Sequence, residues 1–326
     1  MRAAWYSQNG KARDVLVLGE LPTPTPAAGE VRVRLATSGV NPSDVKSRSS
    51  RPTGNQRIVP HSDGAGIIDA VGDGVSSARI GERVWIWNGQ WQRPLGTAAE
   101  CIVLPEKQAV MLPDATDFAA AACLGIPAMT AFQAVRLLGD IAGRTVLVIG
   151  ASSAVGHYVT QLAVNRGAKV IGTVGSKDKA RHALAAGAET TISYKSESVA
   201  DRVKDLTAGR GVDAIVDMDF STTVQLLGSG GLAPHGTLVS YGSNAYGDIA
   251  VPFRALLWNS VVLKFFLVYD LTPDDRRAVV DGLNQLLSSG RLLHTVGARF
   301  RLEDIAAAHE AVEGGAVMGN VIVDLI

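Results

Sequence analysis

Residues 145–156 read TVLVIGASSAVG, an apolar run that passes directly into a loop of small residues. The apolar run predicts a buried strand, and the recurrence of Val155, Val159 and Leu162 at helical spacing predicts that a helix follows the loop. A strand, a tight loop and a helix in this order form the phosphate-binding start of a Rossmann unit. In such a unit the backbone approaches a pyrophosphate, and the helix N–H groups stabilise its charge.

The loop departs from the glycine pattern of that unit. Ala151 and Ser153 occupy the first two glycine places, and only Gly156 agrees with the pattern. The context still favours a nucleotide site over a plain strand–helix turn, because the next strand-like run, KVIGTV, begins at Lys169, as in a βαβ unit. The residues predicted to contact the cofactor here are Ala151, Ser152, Ser153, Ala154, Val155 and Gly156.

The end of the second strand indicates which dinucleotide is bound. An NAD enzyme places Asp or Glu there to hold the ribose hydroxyls. This strand ends with Gly175 and Ser176, which are followed by Lys177, Asp178 and Lys179. A hydroxyl and lysines favour a 2′-phosphate, which a carboxylate would repel, so the sequence predicts NADPH. The alternative is that the two lysines belong to a solvated helix start.

The hydrophobic pattern of the chain differs between its first part and the part that contains this loop. Before about Leu112, short β-like runs such as VRVRLATS and GAGIIDAV are separated by Gly, Pro, Asn and Asp. From about Ala119 to Asp270, apolar runs alternate with helical periodicity, which is typical of a parallel sheet wrapped by helices. The sequence therefore predicts an α/β protein with a β-rich domain and a Rossmann domain built on a doubly wound parallel sheet.

The composition argues against several kinds of partner. The 326 residues include 31 Lys and Arg and 31 Asp and Glu, so the formal net charge is zero. Without a basic field, neither nucleic acid nor an anionic membrane surface is expected as a partner. The longest uncharged run, 118–135, is interrupted by Gly, Pro, Thr and Gln, and predicts buried helix and loop. No secretory leader is expected, and two cysteines cannot form a disulfide framework, so the expected compartment is the reducing cytoplasm.

Further motifs lie in order along nearly the whole chain. They are SGVNPSDVKSR (38–48), VPHSDGAGIIDAVGDGV (59–75), GERVW (81–85), GTAAECIVLP (96–105), GIPAMTAFQAV (125–135) and AHEAVEGGAVMGNVIV (308–323). Together with the phosphate loop, these motifs resemble the zinc-independent quinone oxidoreductases of the medium-chain dehydrogenase/reductase superfamily. They are specific to the superfamily and only moderately specific to one reaction.

The resemblance implies a domain organisation and an oligomer. A GroES-like, β-rich catalytic domain is expected from residues 1–124 and 268–326, with a Rossmann NADP-binding domain, 125–267, inserted between them. A homodimer is also expected, in which the last Rossmann strand, VVLKFFLVY (261–269), pairs with its mate. That run is apolar enough to need covering.

The resemblance also implies site residues, with Asn41 and Thr130 as the catalytic pair. Asn41 matches an active-site Asn whose amide donates to a substrate carbonyl or contacts the nicotinamide, although Asn before Pro is also a common turn residue. Ser176 and Lys179 match contacts to the 2′-phosphate, and Tyr194 matches an aromatic residue beside the adenine. The remaining implied cofactor contacts are Tyr241, Gly242, Ser243, Phe266, Val268 and Asn320, the last of which is Lys in many relatives.

No bound metal is expected. Zinc alcohol dehydrogenases of the superfamily have a GHE motif where this chain reads His61-Ser62-Asp63, and the position of the ligand histidine is Ser62. Their cysteine ligand near Ser38 and their four-cysteine lobe are also missing, so no soft ligand set remains for zinc. His61 is then expected to be a loop or packing residue, and the other histidines, His309 among them, have no partner at catalytic spacing.

Three tryptophans lie close together in the sequence. A flat aromatic wall suits a flat substrate such as a quinone, but aromatic residues at alternate positions are equally typical of the core face of a strand. Both interpretations stay open for Trp85 and Trp87, and Trp91, beyond Gly89, is the better pocket candidate.

These observations lead to one functional hypothesis and two alternatives. The hypothesis is an NADPH-dependent oxidoreductase that transfers hydride to a small-molecule quinone or other conjugated carbonyl (enone), with neutral donors stabilising the developing charge. A thioester enoyl reductase shares the NPSD run (41–44), but such enzymes usually carry a Tyr soon afterwards, which residues 47–57 lack. The second alternative is an NADPH-binding sensor or stress protein with little turnover.

Overall fold

A computed structural model describes residues 1–54, 56–245 and 247–325. The chain forms two compact units, one made of Met1–Pro127 with Val280–Ile326 and the other of Ala128–Val279. The first is here called the β-rich unit and the second the Rossmann unit.

The strands and helices are numbered in chain order. The strands are β1 (Arg2–Trp5), β2 (Val17–Glu20), β3 (Glu30–Val40), β4 (Asp63–Val71), β5 (Arg83–Ile86), β6 (Cys101–Pro105), β7 (Ala109–Met111), β8 (Thr145–Val148), β9 (Lys169–Val174), β10 (Thr190–Ser193), β11 (Val212–Asp217), β12 (Leu232–Ser240), β13 (Val262–Phe265), β14 (Val296–Arg301) and β15 (Asn320–Asp324). The α-helices are α1 (Ala12–Val15), α2 (Pro42–Ser50), α3 (Phe118–Ala121), α4 (Met129–Leu137), α5 (Ala154–Asn165), α6 (Lys177–Ala185), α7 (Val199–Leu206), α8 (Phe220–Gly228), α9 (Phe253–Trp258), α10 (Pro273–Ser288) and α11 (Ile305–Glu313). A π-helical turn spans Leu124–Ala128, and 3₁₀ turns span Ser77–Arg79, Glu106–Gln108, Val268–Asp270 and Leu302–Asp304.

The Rossmann unit is built on a six-stranded sheet in the order β10-β9-β8-β11-β12-β13. Every neighbouring pair in it is parallel. Because both faces of a parallel sheet are covered by helices, its strands are continuous apolar runs, and Val146, Leu147 and Val148 of β8 are fully buried. The strand order reverses between β8 and β11, which creates the crevice where doubly wound sheets bind ligands.

Serine side chains fix where three helices of this unit begin. Ser153, Ser176 and Ser198 precede α5, α6 and α7, and each hydroxyl accepts a hydrogen bond from a backbone N–H in the first turn of its helix. A capping serine satisfies one of the N–H groups that a helix start leaves unpaired. Ser153 and Ser176 therefore place two helix N-termini just beyond the carboxyl ends of β8 and β9.

The β-rich unit contains a sheet in the order β14-β15-β3-β4-β5-β7, with β6 also pairing with β3. The first half of β3 alternates between buried and more exposed side chains, and its last residues are all buried. Val33, Ile68 and Leu104, from β3, β4 and β6, pack in one apolar cluster. Strand β15 pairs antiparallel with β3, so the C-terminal strand lies in the same sheet as the N-terminal strands.

The predicted fold class is confirmed, since the chain forms a β-rich unit and a doubly wound parallel sheet. No helix of the described residues is long and apolar enough to cross a membrane.

Candidate active site

A cavity of about 470 Å³ opens at the carboxyl ends of the Rossmann strands. Its lining residues are Ile149, Gly150, Thr173, Tyr194, Val199, Met218, Asp219, Thr222, Thr223, Leu226 and Asn244. They lie at or beyond the carboxyl ends of β8, β9, β10, β11 and β12, on both sides of the switch point between β8 and β11. The cavity therefore lies where a Rossmann unit holds a dinucleotide.

The phosphate loop is held against β9 by backbone hydrogen bonds. The N–H of Gly150 donates to Thr173 Oγ1 at 2.9 Å, and the N–H of Ala151 donates to the carbonyl of Thr173 at 3.1 Å. Gly150 has a φ of 69°, in the left-handed region that favours glycine. The first N–H groups of α5, on Ala154 and Val155, have no partner within the helix, which leaves them for an anion.

Close packing explains which glycine of the pattern is retained. A Cβ at Gly156 would lie 2.2 Å from the carbonyl oxygen of Gly150, so α5 can approach the loop only if this residue has no side chain. Ala151 replaces an earlier glycine, and its methyl group faces Gly172 of β9, where an added Cβ would lie only 2.7 Å from it. Gly172 thus provides the space that the missing loop glycine would have provided.

The end of β9 carries more positive than negative charge. Asp178, the one carboxylate in the run from Ser176 to Arg181, forms an ion pair of 2.5 Å with Arg181. The Ser176 hydroxyl accepts the N–H of Lys179 at 3.3 Å. The Ser176 hydroxyl and the two lysines thus stand together at the start of α6.

Tyr194 stands beside this strand end. Its hydroxyl is close to Gly175, where a Cβ would lie 2.6 Å from the oxygen, and its ring lines the cavity while remaining half exposed. Tyr194 and the end of β9 thus lie together, and their contacts to the adenine and the 2′-phosphate stay predictions.

Sequence reasoning missed Asp219, which lines the same cavity. Its carboxylate accepts hydrogen bonds from Ser221 Oγ at 2.5 Å, from Thr222 Oγ1 at 3.0 Å, and from the N–H and Nδ2 of Asn244 at 2.8 and 2.9 Å. Burial raises the pKa of Asp219 while the hydrogen bonds from Ser221, Asn244 and Thr222 lower it, with a net shift downwards. The carboxylate therefore joins the loops after β11 and β12.

The predicted nicotinamide-side segments come together within the Rossmann unit. The rings of Tyr241 and Phe266 lie 6.3 Å apart between centroids. The carbonyl of Gly242 accepts the N–H of Phe220 at 3.0 Å, and Ser243 Oγ accepts the N–H of Ala245 at 3.1 Å.

The predicted catalytic Thr130 is buried in this unit. It lies on α4, which packs against the 3₁₀ turn Val268–Asp270, and Val268 is buried there. Thr130 and Val268 thus belong to neighbouring elements.

Asn320 lies in the β-rich unit, at the start of β15. Its side chain is buried, and both its N–H and its Nδ2 donate to the carbonyl of Thr295, at 2.9 and 3.0 Å. The side-chain amide of the predicted cofactor contact thus bonds to the residue that precedes β14.

Asn41, the predicted catalytic residue of the β-rich unit, lies between two buried carboxyl groups. Its N–H donates to Asp44 Oδ2 at 2.8 Å, and its Nδ2 donates to Asp63 Oδ2 at 2.8 Å. Burial raises the pKa of Asp44 to about 7, against the lowering effect of the hydrogen bonds from Asn41. Burial also raises the pKa of Asp63 well above its usual range. The side-chain amide of Asn41 is thus held by hydrogen bonds to buried carboxyl groups, to Asp63 at 2.8 Å.

Sequence reasoning also missed a pair of histidines in this unit. His61 Nε2 and His309 Nε2 lie 2.9 Å apart, and both rings are buried. His61 has a φ of 78°, an uncommon backbone conformation for a residue with a side chain. No spacing could have revealed the pair, since 248 residues separate its members.

The tryptophans separate into core and surface residues. Trp85 has no exposed surface and donates from Nε1 to Asn284 Oδ1 at 3.2 Å, so the core interpretation is correct for it. Trp87 is also buried. Trp91 remains a pocket candidate, with the Arg51 guanidinium 5.6 Å above its ring. Within residues 1–54, 56–245 and 247–325, no three His, Cys, Asp or Glu side chains cluster as metal ligands would.

Comparison with known proteins agrees with both units. Residues 27–114 match the alcohol dehydrogenase GroES-like domain, and residues 154–285 match the family described as zinc-binding dehydrogenase. A quinone oxidoreductase of Pseudomonas aeruginosa is 33% identical over 307 residues, which is 91% of this chain and 91% of the relative. The crystal structure of Escherichia coli quinone oxidoreductase complexed with NADPH has a TM-score of 0.87 at 26% identity, over 100% of both chains. A crystal structure described as an NAD-dependent alcohol dehydrogenase has a TM-score of 0.89 at 30% identity, also over 100% of both chains.

A GroES-like β-rich unit together with a Rossmann unit defines the medium-chain dehydrogenases/reductases, a superfamily of oxidoreductases. The chain belongs to the quinone oxidoreductase family of that superfamily.

Proposed function

We propose that the protein is an NADPH-dependent reductase that transfers hydride to a quinone or another conjugated carbonyl and works without a metal. The observation that carries the proposal is the phosphate loop with the strand end beside it, where the single carboxylate, Asp178, is paired with Arg181. The E. coli relative is described as a complex with NADPH, and the P. aeruginosa relative as a quinone oxidoreductase.

The cavity and the phosphate loop fit a dinucleotide. Gly150 and Gly156 allow backbone and helix to approach a pyrophosphate, and the N–H groups of Ala154 and Val155 face it as donors. Ser176 and Lys179 would bind the 2′-phosphate, and the exposed ring of Tyr194 would stack on the adenine. When bound, the nicotinamide supplies the hydride.

In the β-rich unit, the residue that acts on the acceptor is Asn41. In this proposal its side-chain amide donates to the acceptor oxygen, where negative charge develops as the hydride arrives. Asp63 accepts a hydrogen bond from this amide at 2.8 Å and so fixes the amide orientation. Burial raises the pKa of Asp63 well above its usual range, against the lowering effect of the hydrogen bond from Asn41. Water or a bound hydroxyl supplies the proton.

The proposal extends to a homodimer formed through β13. This strand lies at one edge of the Rossmann sheet, and in the described residues it pairs only with β12. Val262 is 42% exposed there, and Phe253 and Trp258 of the preceding helix are 68% and 71% exposed. A second copy would cover this apolar edge. We also propose a cytoplasmic location, which suits the two free cysteines, Cys101 and Cys123.

The test is steady-state oxidation of NADPH and NADH with a panel of quinones, enones and an enoyl thioester. We expect turnover with NADPH and a quinone or enone. Turnover with the enoyl thioester alone would favour the enoyl reductase, and tight NADPH binding without any acceptor would favour the sensor. Absence of NADPH binding would contradict all three.

Cofactor choice is tested by Lys179→Ala. A charge-assisted hydrogen bond to phosphate contributes roughly 1.5–3 kcal/mol, so KM for NADPH should rise about tenfold or more while KM for NADH stays constant. The matched control is Lys169→Ala, which removes the same charge from the exposed amino end of the same strand. Equal effects of the two substitutions would contradict a specific phosphate contact.

A further inference from the structure

A string of hydrogen bonds runs from α11 to β4 inside the β-rich unit. His309 Nε2 lies 2.9 Å from His61 Nε2, His61 Nδ1 lies 2.8 Å from Ser38 Oγ, and Ser38 Oγ lies 2.7 Å from Thr97 Oγ1. Thr97 Oγ1 donates to the backbone carbonyl of Asp63. The four side chains have no exposed surface, so water does not compete for these bonds.

The directions of the bonds follow from the Thr97 end, whose hydroxyl makes the shorter contact to the Asp63 carbonyl; Ser38 Oγ lies 3.5 Å from the same oxygen. A carbonyl oxygen can only accept, so the Thr97 proton is committed to Asp63. Thr97 then accepts from Ser38, and Ser38 accepts from the N–H at Nδ1 of His61. His61 Nε2 is left without a proton and accepts from the N–H at Nε2 of His309. Both rings are therefore neutral, and each is held in one tautomer.

The surroundings agree with neutral rings. Burial, and then the neighbouring His309, lower the pKa of His61, while burial and then the Arg48 charge lower the pKa of His309 to about 3. Arg48 is itself buried and pairs with Glu313, so a fixed positive charge stands on the far side of His309. The carboxyl groups on the active-site side are Asp63 and Asp44, whose pKa values are raised by burial.

The string of hydrogen bonds holds neighbouring backbone segments in place and does not relay a proton. A relay must end on a group that can pass a proton onward, and a backbone carbonyl cannot. What the string does is hold both chain segments that flank Asn41. Ser38 is near the end of β3, three residues before Asn41, and Gly39 pairs in register with Asp63 of β4. The Asp63 carboxyl in turn accepts from Asn41 Nδ2 at 2.8 Å.

The backbone of His61 shows that its ring is needed. Its φ of 78° is a conformation that glycine adopts freely and other residues rarely adopt. Core packing alone would favour glycine at this place. The imidazole instead contributes two hydrogen bonds, one to Ser38 and one to His309.

We propose that His61 and His309 are positioning residues for the reductase reaction, because their neutral pair, through Ser38 and Thr97, fixes Asp63 and thereby the amide of Asn41. This inference rests on the proposed function. It predicts that the pair governs kcat and not cofactor binding, since the phosphate contacts all lie in the Rossmann unit.

The kinetic test compares His309→Leu with His309→Gln. Leucine cannot donate to His61, whereas the Gln side-chain amide can. We expect His309→Leu to lower kcat about 10- to 100-fold, the cost of small misplacements in a site, with KM for NADPH unchanged. His309→Gln should restore most of kcat. Equal kcat for the wild type and His309→Leu, measured while both are folded, would overturn the proposal.

His61→Gly separates the ring from the backbone. Glycine relieves the left-handed conformation, which offsets part of the cost of the cavity and of the unpaired Ser38 and His309, and kcat is compared while the variant is folded. We expect its kcat to fall as in His309→Leu. A fully active His61→Gly would mean that His61 only packs.

A measurement that needs no turnover tests whether the histidine pair positions the Asn41 amide. In ¹⁵N NMR spectra of the wild-type protein, His61 should show a protonated Nδ1 and His309 a protonated Nε2, both neutral. His309→Leu should shift the Nδ2 amide signals of Asn41, and the opposite tautomers or an unmoved Asn41 amide would overturn the inference. If the wild type oxidised no NADPH with any acceptor, the proposed function would fail, while these spectra would still decide whether the pair positions Asn41.

Discussion

At the scale of single residues, Gly156 shows how a hydrogen in place of a side chain creates a binding loop. The helix after the loop begins so close to Gly150 that a methyl group at Gly156 would meet the Gly150 carbonyl oxygen at 2.2 Å. The two other positions of the pattern are not glycine. Both replacements are tolerated, because Gly172 makes room for Ala151 and the Ser153 hydroxyl caps the helix. The three positions of the glycine pattern are therefore not equivalent.

We accordingly expect Gly156→Ala to weaken NADPH binding and to lower the free energy of unfolding by roughly 1–3 kcal/mol, the usual cost of overpacking. The matched control is Gly228→Ala, on another helix of the same unit, where the added methyl would meet Pro252 only at an ordinary 3.6 Å. That control should leave the free energy of unfolding unchanged or raise it by up to about 1 kcal/mol. Urea denaturation and NADPH fluorescence titration measure both effects, and equal behaviour of the two variants would contradict the packing argument.

The folding free energy should depend on pH through His309. Its folded-state pKa of about 3 lies below the value of about 6.5 in an unfolded chain, so protons bind the unfolded state preferentially as the pH falls below about 6.5. The stabilising effect of neutral His309 is complete above that pH and is lost below it. Between about pH 6.5 and pH 4.5 the wild type should lose about 2 kcal/mol of folding free energy relative to His309→Gln.

Urea denaturation of both proteins at several pH values measures this difference. Asp44 and Asp63, whose raised pKa values give the opposite slope, are present in both proteins and largely cancel in the comparison. A stability difference that does not change with pH would show that His309 is not held neutral.

At the scale of elements, the two edges of the Rossmann sheet differ. Strand β10 forms one edge, and the apolar β13 forms the other. An exposed apolar edge invites pairing with another strand, and a lysine on such an edge discourages it. The contrast between the two edges makes the proposed dimer testable by substitution.

Val262→Lys should convert the proposed dimer into monomers, because the charge would be buried at the interface. Light scattering after size-exclusion chromatography measures the mass. Thr191→Lys, which places the same charge on β10 at the opposite edge of the sheet, is the control and should remain dimeric. If the Val262→Lys protein has the same solution mass as the wild type, the interface lies elsewhere. A monomeric wild type would contradict the proposed dimer.

At the scale of the whole molecule, cofactor binding should appear as stability. A ligand that binds only the folded state raises stability by mass action, by about 2.7 kcal/mol at a concentration of 100 times Kd. A thermal-shift titration should therefore give a clear rise in Tm with NADPH and a much smaller one with NADH. A larger shift with NADH would reverse the assignment of Ser176 and Lys179, and no shift with either would contradict dinucleotide binding.

The fold class could be predicted from the sequence, because hydrophobic periodicity and glycine placement are local properties. The run from Thr145 to Gly156 and the alternation that follows it predicted the parallel sheet. The motifs along the chain also implied the family, and the comparisons confirmed it. The predicted site residues were likewise taken from local motifs, and their roles stay predictions.

The contacts between polar groups that are distant in the chain became visible only in the folded protein. His61 and His309 are 248 residues apart, and no pattern in the chain pairs them. From its spacing, Trp85 could have lined a substrate pocket or belonged to the core. Its complete burial, with a hydrogen bond to Asn284, shows that it belongs to the core. Burial and hydrogen-bond direction depend on the whole packed unit, because a buried polar atom must find its partner wherever the fold brings one.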